Sequence, residues 1–254
     1  MAGREKDVLL IIADISGYTN FMVNSKITLL HAQTMITTLI NAVIREARVP
    51  LKVAKLEGDA VFLVAVKTGS ENSWARELSR IKKHITGFFA AFKIRANELA
   101  ATNNCSCNAC TMVQELKLKV VIHYGKALFY TVSGHREIAG PDVILVHRLL
   151  KNPIKSPEYI ALTSAAFTEL GLKDVAAYEQ INETYDAGST TLLVTYPAEK
   201  LKAIIEKIHK KNSNSLSAKT RDMMAKISAM LPIMMGLNKR HYHNLPAENG
   251  QPQP

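Results

Sequence analysis

The distribution of apolar and polar positions divides the chain into segments of two different periods. Residues 8–15, Val-Leu-Leu-Ile-Ile-Ala-Asp-Ile, form a nearly unbroken apolar run closed by Ser16 and Gly17, which predicts a buried strand. Between 28 and 48 the period becomes helical, with Leu29, Met35, Ile36, Leu39 and Val43 on one stripe, and Pro50 stops the helix. Two short apolar runs, 51–56 and 60–66, flank Glu57-Gly58-Asp59 and predict a tight β-hairpin with an acidic tip. A longer helical stripe over 71–101 is carried by Trp74, Leu78, Ile81, Ile85, Phe88, Phe89 and Phe92. Strands are predicted over 116–123 and 127–132, turning at Tyr124-Gly125-Lys126. A helix over 141–151 and strands over 159–163 and 190–196 complete the pattern.

This order begins β-α-β-β-α-β, the ferredoxin-like arrangement, so the expected fold class is α/β (α+β): an antiparallel sheet with both long helices on one face. The domain spans 1–197 and carries a cysteine-rich loop over 103–112. A helical extension follows over 198–240. Leu201, Ile204, Ile205 and Ile208 mark its first short amphipathic helix, and a polar linker leads to a Met-rich one through Met223, Met224, Met230, Met234 and Met235, kinked at Pro232. Residues 241–254 read as a disordered tail.

At 254 residues and 47% apolar composition, the chain can build a core without disulfides. No apolar run approaches the roughly 18 residues of a membrane-spanning helix, and no signal-peptide pattern opens the chain, so a cytoplasmic location is expected. The formal net charge of +10 favours polyanionic partners. Much of that excess lies after Pro197, and no interleaving of aromatic and basic residues accompanies it, which disfavours nucleic acid. Lys219, Arg221, Lys226, Lys239 and Arg240 surround the Met-rich segment, which can dock on its own domain or make peripheral membrane contact.

Cys105, Cys107 and Cys110 form a C-x-C-x-x-C loop that is either a reduced thiol cluster or a source of three thiolates for Zn²⁺, with His123, His135 or a partner subunit as fourth ligand. His31 and His84 fall on helical stretches and read as surface or packing residues. Two acidic turns carry the remaining chemistry. Asp14 ends a buried strand just before Ser16-Gly17-Tyr18-Thr19, whose backbone N–H groups can face an anion. Asp59 sits at a hairpin tip, and hard cations such as Mg²⁺ take oxygen ligands from one or two carboxylates plus substrate phosphates. Either turn alone also has ordinary structural uses.

Together, in this element order, they resemble the class III adenylyl and guanylyl cyclases. In that family a strand ending in Asp-Ile-x-Gly-Phe-Thr and a hairpin of the form Lys-x-x-Gly-Asp supply two metal-binding aspartates. Here Asp14 and Asp59 stand at those places, with Ile15 in the same metal set and Tyr18 replacing the Phe. Val120-Val121-Ile122-His123-Tyr124-Gly125 resembles the family's Gly-Ile-His-x-Gly strand end, and the segment from Gly140 through Arg148 to Leu149 resembles its Gly-x-x-Val-Asn-x-Ala-x-Arg-Leu helix. The likeness runs from about Val8 to Tyr196.

The resemblance implies a homodimer binding ATP or GTP with two Mg²⁺ or Mn²⁺ ions. It implies nucleotide contacts at Gly17, Tyr18 and Thr19, base reading by Lys55 and Glu137 with a weak lean to adenine, and charge stabilisation by Arg148. Two positions depart from the family. Ile144 stands where an asparagine orients the ribose, and the late Lys-Gly hairpin appears as Tyr185-Asp186-Ala187-Gly188. The alternative is a catalytically inactive cyclase-homology module for nucleotide binding, dimerisation or signalling. A diguanylate cyclase is disfavoured because the sequence has no Gly-Gly-Asp/Glu-Glu-Phe hairpin.

Overall fold

A computed structural model describes residues 4–26, 28–101, 107–185, 188–197 and 201. The first half runs β1 (Arg4–Ser16), α1 (Tyr18–Asn24), α2 (Leu29–Glu46), β2 (Lys52–Glu57), β3 (Ala60–Val66), α3 (Glu71–Ala101) and α4 (Asn108–Met112). The second half runs β4 (Lys117–Val132), β5 (His135–Ala139), α5 (Pro141–Arg148), β6 (Tyr159–Thr163), α6 (Ser164–Glu169), β7 (Glu179–Tyr185) and β8 (Gly188–Thr195).

Alternation along β1 decides the architecture. Leu9, Ile11, Ala13 and Ile15 enter one core while Val8, Leu10 and Ile12 enter another, so this strand is covered on both faces and belongs in the middle of a sheet. It pairs antiparallel with β3 on one side and β4 on the other. The full order is β2-β3-β1-β4-β6-β8-β7, with β5 paired to β4. On the first face, α2 buries Ala32, Met35, Ile36, Leu39 and Val43, and α3 buries Trp74, Leu78, Ile81, Ile85 and Phe88. Each such large side chain contributes about 1.5–3 kcal/mol on leaving water, which is what holds the two helices to the sheet. On the second face the cover is α5, through Val143, Val146 and Leu149.

The mixed fold and the β-α-β-β-α-β core agree with the sequence pattern, and three details differ. The sheet is mostly antiparallel, but β4 and β6 run parallel. The turn expected at Tyr124-Gly125-Lys126 is absent, because β4 passes straight through these residues and turns only at Ser133 and Gly134, both at positive φ. Gly125 serves instead as a point of close approach: a Cβ there would lie 2.3 Å from the Asp142 carboxyl carbon. Two strands had no counterpart in the pattern, β5 and the mostly polar edge strand β7. The extension over 198–240 and the tail over 241–254 lie outside the described residues except Leu201, which is buried in the core of the helical face. Among the described residues no helix is long and apolar enough to cross a membrane.

Candidate functional site

The β1–β3 register brings the two acidic turns together. Asp14 pairs with Ala60, the neighbour of Asp59, and the Ile15 N–H donates to the Asp59 carbonyl at 3.3 Å. The tip itself is a two-residue turn with Gly58 at φ 68°, a conformation glycine adopts without strain. The Asp14 and Asp59 side chains share a hydrogen bond. Burial, first, and then the Asp14 charge and that hydrogen bond push the Asp59 carboxyl up to about 7 from an ordinary 3.8. The neutral form of Asp59 therefore persists far above the ordinary carboxylate range, at a place where two ionised carboxylates would otherwise repel.

β4 supplies a third member. Lys119 is the register partner of Asp14, and its Nζ lies 2.9 Å from Asp14 Oδ2. The Ile15 side chain is buried in the hydrocarbon core, so only its backbone oxygen is available to a cation.

Alternation sends Asp14 and Lys119 to the face covered by α5, the side away from the two long helices. Other polar groups join them there. Lys55 forms an ion pair with Glu137, a contact that holds its ammonium above the usual 10.5. The sequence resemblance had assigned these two to one base-reading unit, and the fold brings them together although one lies on β2 and the other on β5. Glu57 accepts from His147 Nε2 on α5 at 3.0 Å, while His147 Nδ1 donates to the Val143 carbonyl at 2.7 Å.

Asp142, in the first turn of α5, fixes that helix to the sheet. It accepts from the Lys126 backbone N–H at 2.6 Å and from His123 Nε2 at 3.0 Å, and His123 Nδ1 meets the Thr163 hydroxyl at 2.9 Å. β4 has left β6 after Ile122 and joins β5 only at Leu128, which frees the Lys126 N–H for this carboxylate. His123 is thus committed to a bracing network on the α5 face. It is not a partner for the cysteines, which pack on the opposite face, and His135 sits at the tip of the β4–β5 hairpin.

Arg148 lines a cleft of about 620 Å³ between α5 and β7, with Ile144, Glu183 and Tyr185. Ile144 is 60% exposed while its neighbours Val143 and Val146 are buried, so the only large apolar group that α5 offers to solvent is the one standing in the asparagine position. Tyr185 pairs with Gly188 to close the β7–β8 hairpin, and Asp186 and Ala187 lie outside the described residues. Gly17, at φ 89°, starts α1, with Tyr18 packed against the core and Thr19 exposed.

Cys105 lies outside the described residues. Cys107 and Cys110 are brought to His31 on α2, with Cys107 Sγ 3.4 Å from Nδ1, and the three ligand-capable atoms lie within 4.8 Å of one another. The helical pattern had left His31 as a surface or packing residue; it is buried, and it is also the nitrogen partner of these thiols. Lys119, His147 and Asp142 were equally missed. Only strand register, which the local sequence does not carry, would have placed Lys119 opposite Asp14.

A family model described as a protein of unknown function (DUF2652) matches residues 36–159. An uncharacterized protein of Mycobacterium tuberculosis (strain ATCC 25618 / H37Rv) is 33% identical over 125 residues, covering 49% of this chain and 55% of that protein. The chain thus spans about half the length of the curated relative it matches. Among solved structures, the guanylyl cyclase Cya2 superposes with a TM-score of 0.55 at 12% identity over 76% of this chain and 93% of that one. The adenylyl cyclase CyaB from P. aeruginosa gives 0.54 at 12% identity over 77% and 96%. A class III adenylyl cyclase-like ATP-binding protein from Pseudomonas aeruginosa gives 0.51 at 15% identity over 66% and 35%. The described residues therefore have a class III cyclase-like fold.

Proposed function

We propose that this chain binds a purine nucleoside triphosphate together with Mg²⁺ or Mn²⁺ at Asp14 and Asp59 and acts as a divergent class III nucleotidyl cyclase. One observation carries the reading: the two carboxyls meet at adjacent turns on the α5 face, with Asp59 raised to about 7. Such a pair fits hard divalent cations. It offers only oxygen donors, the Ile15 carbonyl can add another, and a cation relieves the repulsion that a proton otherwise relieves. Bound there, the ions would lower the barrier to attack by the ribose 3′-hydroxyl on the α-phosphate.

The chain's own groups take the remaining roles. Lys119, ion-paired to Asp14, shares or yields that carboxylate when a cation arrives, and its ammonium remains as local positive charge for the phosphates. Gly17, Tyr18 and Thr19 begin a helical turn whose first N–H groups have no intrahelical acceptor and can donate to phosphate oxygens. Lys55 and Glu137 form one donor–acceptor unit suited to a purine edge, with adenine favoured. Arg148 stabilises charge on the reacting phosphate. Two copies complete each site, with α5 and its exposed Ile144 at their junction, in the cytoplasm.

Calorimetry with Mn²⁺ and non-hydrolysable ATP and GTP analogues tests the binding. Metal-dependent heat in the wild type that disappears in Asp59→Ala is expected, and no heat in the wild type refutes it. Incubation with ATP or GTP and Mn²⁺ then tests the reaction, with cyclic product expected above the Asp59→Ala control. A second reading, binding without turnover, is favoured by Ile144, since an exposed aliphatic side chain cannot orient a ribose by hydrogen bonding. A neighbour in fold is itself described as a cyclase-like ATP-binding protein. Binding heat without cyclic product selects this reading.

A further inference from the structure

The His31, Cys107 and Cys110 cluster lies on the opposite face of the sheet from the carboxylate pair and has no part in the nucleotide site. His31 comes from the first turn of α2, and the two thiols come from the start of α4 in the connection between α3 and β4. His31 is 2% exposed and Cys110 3%, and Cys110 belongs to the core of the helical face. A buried imidazole next to two buried or half-buried thiols gains little from hydrogen bonding, because sulfur is a weak donor and a weak acceptor.

Distances separate a metal site from accidental packing. Zinc binds thiolate sulfur at about 2.3 Å and imidazole nitrogen at about 2.0–2.1 Å, so a tetrahedral ion holds its sulfur and nitrogen ligands about 3.6 Å apart. His31 Nδ1 stands 3.4 Å from Cys107 Sγ and 3.8 Å from Cys110 Sγ, bracketing that separation, and Cys110 Sγ lies 3.7 Å from Nε2 of the same ring. The donor set is soft and nitrogen–sulfur in character, which selects zinc over the Mg²⁺ or Mn²⁺ suited to the aspartates.

We infer that His31, Cys107 and Cys110 supply three of the four ligands of a structural Zn²⁺ ion that ties α2 to the connection entering β4. Through this ion the chain would fix two elements of the candidate site from behind. β4 carries Lys119, and α4 already contacts the end of α1, where Asn108 Nδ2 donates to the Asn24 carbonyl at 2.8 Å. The inference stands whether or not the aspartates bind nucleotide.

Elemental analysis of the full chain, purified without chelator and then dialysed, should find one zinc per chain. Its replacement by Co²⁺ should give a sulfur-to-cobalt charge-transfer band of at least two-thiolate intensity together with tetrahedral d–d absorption. His31→Ala and Cys110→Ser should each lose the zinc. Because either variant can fail to fold, thiol reactivity of the wild type gives an independent reading: added Zn²⁺ should slow modification by a disulfide reagent at least tenfold, and chelator should reverse this. Absence of zinc, with no protection by added Zn²⁺ and no cobalt–sulfur band, overturns the proposal. So does a native Cys107–Cys110 disulfide found by mass spectrometry, which would make the pair a redox couple. Calorimetric nucleotide binding in the zinc-free wild type keeps this result distinct from failure of the aspartate site.

Discussion

Replacing Asp59 by asparagine should make the metal-free protein more stable, and only at the alkaline side of its range. In the folded chain the Asp59 carboxyl is raised from 3.8 to about 7, chiefly by burial and then by the neighbouring Asp14. A carboxyl whose folded value exceeds its unfolded value contributes stability that is complete below about 3.8 and disappears as pH rises through about 7. At about 1.4 kcal/mol per pH unit the full interval would correspond to ~4 kcal/mol. Asp59 is only partly buried, and screening by solvent reduces this to ~1–2 kcal/mol. Asparagine removes the cost because its amide can donate to Asp14 without ionising. The stability difference between Asp59→Asn and wild type should therefore be small at pH 4.5 and reach ~1–2 kcal/mol at pH 8, a rise of about 3–6 °C in Tm for a domain of this size. Thermal melts of both proteins in chelator across this range measure it. A variant no more stable than wild type at pH 8, or a difference independent of pH, would refute the proposed coupling of the two carboxyls.

Gly125→Ala should cost about 2–4 kcal/mol in urea unfolding, since its Cβ would lie 2.3 Å from the Asp142 carboxyl and expel it from Lys126 and His123; a loss below ~0.5 kcal/mol would contradict the bracing role of Asp142. Ile144→Asn should leave stability within ~0.5 kcal/mol because the side chain is 60% exposed. If a ribose contact is the missing element, the same change should raise cyclic-nucleotide formation about tenfold, the effect of one hydrogen bond of ~1–1.5 kcal/mol. Unchanged turnover would remove Ile144 from the account.

What could be read from the sequence was local, and what could not depended on pairings across the fold. The apolar run through β1, the two helical stripes and the Gly58-Asp59 turn each lie within a few consecutive residues, so the core order followed from them, while the meeting of Asp14 with Asp59 was what the family resemblance implied. Lys119 became visible only once β1 and β4 were in register. His31 looked like a stripe residue because its thiol partners lie 76 and 79 positions away. Gly125 resembled a turn because it sits between polar neighbours, yet it is glycine so that Asp142 can approach β4. β7 escaped notice because an edge strand covers little core, and Glu-Gln-Ile-Asn-Glu-Thr-Tyr lacks the apolar alternation of a central one.

The central claim is that Asp14 and Asp59 hold divalent cations with a nucleoside triphosphate. Crystals grown with Mn²⁺ and a non-hydrolysable ATP analogue, measured for manganese anomalous scattering, address it most directly. The account predicts two anomalous peaks about 3.5–4 Å apart, bridged by the two carboxylates and the phosphates. Nucleotide density at this site without manganese, or manganese bound elsewhere while Lys119 keeps its ion pair with Asp14, would contradict it.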